Sequence, residues 1–364
     1  MSSRKVIIAG GGTGGHIFPA IAIANALKEL DPDIDILFVG AKGKMEMEKV
    51  PQAGYRIEGL DIAGFNRSSL IKNIGLPFKL IKSFFQVRRI FREFGPTAVV
   101  GVGGYSSFPV LRFAQQKGIP SFLHESNSFA GRSNQLLGKK ATRIFVATDG
   151  MEKFFPPEKI IVTGNPVRKA IVAASVNRED AIRQFGLQPG KTTVLSVGGS
   201  LGARSINQAV EAGLDSLHEE GLQLIWQVGK NNLSAAMKQK ATANGDVWVN
   251  EFITNMETAF AAADIVISRA GAMSIAEICV VKKPAVLVPY PFAAEDHQTV
   301  NAKNLVQKEA ALMVPDAEVK QRLIGTVIAL AKDPMLQKQL KSNIAPLAIG
   351  HADKVIAAEI IKTI

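Results

Sequence analysis

Short, almost uninterrupted apolar runs recur along this chain, with stretches of helical spacing between them. In the first half, residues 6–9, 36–39, 98–102, 121–124, 144–147 and 160–162 read as strands, and 17–30 reads as a helix with Pro19 in its first turn. The second half repeats the pattern at 193–197, 222–227, 247–250, 265–268 and 285–288. Strands apolar at consecutive positions are buried on both faces, and strands separated by helices pair in parallel through right-handed crossovers. The turn-rich segment Thr163-Gly164-Asn165-Pro166-Val167-Arg168 separates the two series. The expectation is therefore two α/β domains, 1–164 and 165–349, with a cleft between them. The last helix, 350–364, can pack on either domain, the first included, and the sequence alone does not decide.

Each half opens on a strand that runs into a glycine cluster. The first is Gly10-Gly11-Gly12-Thr13-Gly14-Gly15-His16, and the second is Gly198-Gly199-Ser200-Leu201-Gly202-Ala203-Arg204. A strand, a tight turn and a helix start place bare amides and a positive helix end where an anion can sit.

Length and charge narrow the classes. At 364 residues the chain can bury a large core in two domains. Its formal net charge of +11 suits nucleic acid, an anionic membrane or an anionic small molecule. No basic arm, zinc spacing or aromatic-rich RNA motif is present, so nucleic acid is not expected as a partner. No apolar run approaches the ~18 residues of a membrane span, and no signal-peptide apolar region precedes the first strand, so a cytoplasmic location is expected. The single cysteine, Cys279, cannot form an intrachain disulfide and reads as a buried small hydrophobe rather than a nucleophile.

Gly10, Gly12 and Gly15 fit a G-x-G-x-x-G spacing. A dinucleotide site also needs a carboxylate at the end of the second strand, and Leu37-Phe38-Val39-Gly40-Ala41-Lys42 has none. No Gly-Lys-Ser/Thr follows either loop, so a P-loop is absent. His16 has two readings: a polar residue bonded to a nearby loop, or a general base kept neutral by the positive helix end. Asp31-Pro32-Asp33 resembles a metal-binding D-x-D, but its proline and its place before a strand favour a turn. In the second half, Ser268-Arg269-Ala270-Gly271-Ala272-Met273-Ser274-Ile275-Ala276-Glu277 is a strand end, a glycine turn and a helix start. Glu277 there is either a solvated helix charge or an acceptor for a ribose diol. Pro289-Tyr290-Pro291 leads to Glu295-Asp296-His297-Gln298 at the next strand-to-helix turn. Both segments fall at the carboxyl edge, where open α/β sheets bind ligands.

Together these motifs are similar to one family. Gly-Gly-Thr-Gly-Gly-His (11–16), Gly-Gly-Tyr (103–105), His-Glu-Ser-Asn (124–127), Gly-Asn-Pro-Val-Arg (164–168), Gly-Gly-Ser-Leu-Gly-Ala-Arg (198–204), Ser-Arg-Ala-Gly-Ala (268–272) and Asp-His-Gln (296–298) occur in the order of the peptidoglycan lipid-linked N-acetylglucosaminyltransferases, the MurG family. The resemblance spans nearly the whole chain. It implies a GT-B fold, two Rossmann-like domains facing a central cleft, and a hexosyltransferase that moves N-acetylglucosamine from UDP-N-acetylglucosamine to lipid I with inversion, giving β-1,4-linked lipid II. It implies donor contacts at Thr13, Gly14, Gly15, Asn127, Arg168, Ser200, Ile253, Ala272, Met273, Ser274, Ile275, Ala276, Glu277 and Gln298. The acceptor pyrophosphate is expected at Gly12, Gly103, Gly104 and Tyr105. His16 is the first choice of base, with Glu125 as the alternative. No cofactor and no protein-bound metal are expected. The implied setting is the cytoplasmic face of the bacterial plasma membrane, with divisome or elongasome proteins as possible partners. The competing readings are another GT-B glycolipid transferase, a UDP-sugar 2-epimerase, and a non-catalytic membrane-peripheral protein.

Residues 68–94 carry many apolar side chains interleaved with Lys72, Lys79, Lys82, Arg88, Arg89 and Arg92 against one acid, Glu93. Leu80, Phe84, Val87, Phe91 and Phe94 follow core spacing. Phe78, Ile81 and Phe85 form a second stripe about 100° away. Either both stripes are buried, or the second dips into an anionic phospholipid bilayer beside a rim of Lys79, Lys82 and Arg89.

Overall fold

The computed structural model describes residues 4–63, 75–199, 201–230 and 232–364. The apolar runs of the first half become β1 (Lys5–Ala9), β2 (Asp35–Ala41), β3 (Arg56–Leu60), β4 (Ala98–Gly101), β5 (Ser121–Glu125), β6 (Arg143–Val146) and β7 (Ile160–Val162). They form one seven-stranded sheet in the order β3-β2-β1-β4-β5-β6-β7, with every pairing parallel. The second half gives β8 (Thr193–Val197), β9 (Gln223–Gln227), β10 (Val247–Asn250), β11 (Ile265–Ser268), β12 (Ala285–Leu287) and β13 (Leu312–Met313). These form a six-stranded parallel sheet, β10-β9-β8-β11-β12-β13.

In both sheets the chain order reverses at the central strand, β1 against β4 and β8 against β11. Both glycine clusters follow these central strands, at the switch point where α/β sheets open a crevice.

Successive residues of β1 feed opposite faces. Val6 and Ile8 join a cluster with Phe38, Phe122 and Phe145, while Ile7 and Ala9 join Val99, Leu123, Val87 and Phe91. The last helix, Ala352–Thr363, adds Ile356, Ala357 and Ile360 to the first of these clusters, beside the helix Gly14–Leu30. The chain accordingly divides into two compact units, Met1–Val167 with His351–Ile364, and Arg168–Gly350.

The helix after the first glycine cluster begins at Gly14, three residues before the start read from its apolar spacing. Two strands lay outside the sequence reading. β3 has a polar, partly exposed sequence (RIEGL), and β13 is two residues long.

Candidate active site

In the first unit, His16 sits in the opening turn of Gly14–Leu30, capped by Thr13 in an extended conformation. Its Nδ1 lies 3.0 Å from the Gly11 carbonyl and 3.5 Å from Thr13 Oγ1. A carbonyl only accepts, so Nδ1 is the donor in this bond, and in the neutral ring that leaves the lone pair on Nε2. Nε2 faces the next loop so closely that a Cβ on Gly103 would lie 2.8 Å from it. The structure thus brings His16, Gly12, Gly103, Gly104 and Tyr105 together. Gly11 N–H donates to the Gly103 carbonyl, and Tyr105 borders Gly12. Burial raises the Tyr105 phenol above its ordinary pKa, with the charge of Glu46 a smaller cause.

The Gly12 amide, expected to face an acceptor phosphate, instead donates to Glu46 Oε2 at 2.9 Å. Gly14 and Gly15 head the helix, where the Thr13 side chain makes no capping bond. His124, buried on β5, is pushed down to about 4 by burial and also feels His16, so it is neutral at pH 7.

Glu125, the alternative base of the sequence reading, lies at the end of β5. Its buried carboxylate accepts from the Asn127 amide (3.1 Å), Asn127 Nδ2 (3.3 Å), the Gly131 amide (3.2 Å) and Asn134 Nδ2 (2.8 Å). Four donors fill both oxygens and make Glu125 the anchor of the loop that carries Asn127. Asp31 likewise serves a turn, pairing with Arg4 and accepting from the Asp33 amide.

In the second unit, Ala272, Met273 and Ser274 open the helix Ala272–Val281, which follows β11 through Gly271. Ile275 and Ala276 continue it toward Glu277, which is 9% exposed. Arg168 Nε donates to Glu277 Oε1 at 2.8 Å, so two donor-site candidates 109 residues apart are brought together. Burial raises the Glu277 pKa, and Arg168 opposes this by its hydrogen bond and charge. Cys279 on the same helix is buried and its thiol is pushed up to about 12, so it is no nucleophile. Gln298, in the first turn of His297–Gln307, accepts the Tyr290 amide through Oε1 at 3.0 Å. Ser200 lies outside the described residues, as do residues 68–74 of the apolar, basic stretch.

Three organising residues escaped the sequence reading. Gln227, at the end of β9, accepts the Ile253 amide (2.9 Å) and donates to the Gly199 carbonyl (3.0 Å), tying the Ile253 loop to the second glycine cluster. Arg269 joins Asp316, Ser205 and the Val288 and Pro289 carbonyls. Glu46 holds the first glycine loop. A polar residue at the carboxyl end of an apolar strand was the signal for Gln227 and Arg269.

The helix Leu76–Phe94 buries Val87, Ile90, Phe91 and Phe94. Phe78, Ile81 and Phe85 are 75%, 56% and 67% exposed and form one stripe. Leu80, read as core, is 37% exposed, and the buried apolar face of this helix begins at Val87. Of the expected cationic rim, Lys82 pairs with Asp61 (2.9 Å) and Arg89 with Glu58 (3.4 Å), while Lys79 is exposed. Such exposed pairs contribute little and exchange readily. Among the described residues no helix is long and apolar enough to cross a membrane. Nor do three His, Cys, Asp or Glu side chains gather there as a metal site.

Residues 6–146 match the glycosyltransferase family 28 N-terminal domain and 193–360 its C-terminal domain. The chain is 53% identical over 361 residues to the UDP-N-acetylglucosamine–N-acetylmuramyl-(pentapeptide) pyrophosphoryl-undecaprenol N-acetylglucosamine transferase of Phocaeicola vulgatus, covering 98% of this chain and 96% of the relative. It is 50% identical over 365 residues to the protein of that name from Parabacteroides distasonis, covering 100% and 99%. A crystal structure of Acinetobacter baumannii MurG superposes with a TM-score of 0.82 at 28% identity, covering 99% of each chain.

Proposed function

Because this chain belongs to the family of UDP-N-acetylglucosamine–N-acetylmuramyl-(pentapeptide) pyrophosphoryl-undecaprenol N-acetylglucosamine transferases, we infer that it transfers N-acetylglucosamine from UDP-N-acetylglucosamine to lipid I, forming lipid II. The structural observation that supports this most is the His16 arrangement. With Nδ1–H held by the Gly11 carbonyl, Nε2 presents its lone pair beside Gly103 at the head of a helix.

The chemistry is a single displacement. His16 Nε2 takes the proton of the acceptor sugar's 4-hydroxyl as that oxygen attacks the anomeric carbon. The bond to UDP breaks on the opposite face, and the α-linked donor becomes a β-1,4 linkage. Charge develops on the departing diphosphate. The helix-opening amides at Met273 and Ser274 and the loop after β8 suit that charge without a protein-bound metal. Glu277 suits the ribose hydroxyls, and Asn127 and Gln298 suit sugar hydroxyls or the acetamido group. The loop of Gly103, Gly104 and Tyr105, beside Gly12, suits the acceptor pyrophosphate, and Thr13, Gly14 and Gly15 at the helix start suit the donor.

Lipid I cannot leave the bilayer, so its enzyme must come to the membrane. The exposed Phe78, Ile81 and Phe85 stripe, flanked by Lys79, Lys82 and Arg89, supports docking on the anionic cytoplasmic leaflet.

UDP release with and without a water-soluble lipid I analogue tests the reading. Release that depends on the acceptor is expected. Conversion of the sugar nucleotide to its 2-epimer without acceptor would support the epimerase alternative instead.

A further inference from the structure

Glu46 opens the helix Glu46–Gln52 and is 1% exposed. Its Oε2 accepts the Gly12 amide at 2.9 Å and its Oε1 the Ala41 amide at 3.0 Å. Among the described residues no lysine or arginine forms an ion pair with it. Burying a carboxylate is costly unless donors satisfy it, and among the described residues these two backbone amides do so. Room for it is built into the sequence: a Cβ on Gly11 would overlap its carboxyl group, and one on Gly40 would overlap its Cγ.

The Gly12 amide and the Gly11 carbonyl belong to one peptide group, and in a trans peptide they point in opposite directions. The carbonyl end of this same group accepts from His16 Nδ1 at 3.0 Å. A single peptide plane thus has a carboxylate at one end and the imidazole at the other.

We propose that Glu46 is a positioning residue for His16, acting through the Gly11–Gly12 peptide. By fixing that plane it keeps the Gly11 carbonyl aimed at Nδ1–H, which leaves the lone pair on Nε2. Its charge also polarises the peptide, making the carbonyl a stronger acceptor and the ring a stronger base. The arrangement does what a carboxylate bonded directly to a histidine does, with a peptide group inserted between them. Of the titratable groups nearby, His124 on β5 feels the charge of His16, and Tyr105 in the loop after β4 borders Gly12. Burial holds His124 down at about 4 and raises the Tyr105 phenol, so neither is charged near neutral pH. Only the catalytic consequence of the proposal rests on reading His16 as the base.

The test is nitrogen NMR on full-length protein labelled at histidine, of which the chain has 5. The His16 signal is assigned by its loss in His16→Asn. In the wild type the Nδ1–H tautomer is expected, and an Nε2–H tautomer would overturn the proposal without any variant. In Glu46→Gln the two tautomers should mix and the His16 titration midpoint should fall by about half a pH unit, roughly a threefold loss of proton affinity. Glu46→Asp, which keeps the charge, should recover part of that loss and serves if the glutamine variant does not fold. An unchanged His16 ring in a folded Glu46→Gln protein with normal UDP binding by calorimetry would overturn the proposal. A shifted ring with an unshifted acid limb in the pH profile of kcat/KM would uphold Glu46 and remove His16 as the base.

Discussion

Arg168 Nε donates to Glu277 Oε1 at 2.8 Å, and this bond joins the first residue of the second unit to the helix Ala272–Val281. Glu277 lacks the solvent that would otherwise stabilise its charge, so its pKa is raised despite Arg168. A carboxyl raised on folding stabilises the fold fully below its unfolded pKa, and this contribution is lost as pH rises through the folded value. Arg168→Ala removes the opposing partner and raises Glu277 further. The variant should therefore lose more thermal stability at pH 7 than at pH 5, as read by calorimetry at both pH values. An equal loss at both would show that the two side chains are not coupled.

If Glu277 accepts from the ribose, its loss removes a buried hydrogen bond to a charged group, about 1.5–3 kcal/mol. Glu277→Ala should bind UDP roughly ten- to a hundredfold more weakly while remaining folded. Affinity in the wild type should also fall on acidification at a pH above the ordinary glutamate range, since only the ionised form accepts from both hydroxyls. An unchanged dissociation constant by titration calorimetry would rule out this role.

Metal dependence is separable from binding. If the helix-opening amides supply the charge stabilisation, extensively chelated enzyme should keep its UDP affinity. Loss of UDP binding on chelation, restored by a divalent cation, would contradict that picture.

Phe78→Ser combined with Phe85→Ser changes two side chains that are 75% and 67% exposed, so the fold should survive. Binding to anionic vesicles in a flotation assay should drop, along with activity on long-chain lipid I. Activity on a water-soluble acceptor should remain. Undiminished vesicle binding would place the membrane contact elsewhere.

The strands were legible because both sheets are parallel and buried on both faces, which turns each central strand into a continuous apolar word such as Val6-Ile7-Ile8-Ala9. Partly exposed β3 lacks that signal. Gly14 and Gly15 hid the true start of the first helix, since glycine is a poor helix former and gives no apolar spacing to read. His16, Arg168 and Glu277 were visible as residue types beside glycine turns. Their partners were not: Glu46 reaches Gly12 across 34 residues, and Gln227 reaches Ile253 across 26, separations fixed only by sheet order. The carboxylate needed for a dinucleotide site was sought at the end of β2. One is present just beyond it as Glu46, turned onto the glycine loop itself.

The central claim is sugar transfer with His16 as base, and one measurement reaches it most directly. Radiolabelled N-acetylglucosamine from UDP-N-acetylglucosamine is followed into a short-chain lipid I analogue by wild type and by His16→Ala. The wild type should form a β-1,4-linked disaccharide lipid. The variant should bind UDP normally and turn over about 10²–10⁴-fold more slowly. No labelled lipid from the wild type, or turnover of the variant within severalfold of it, would contradict the account.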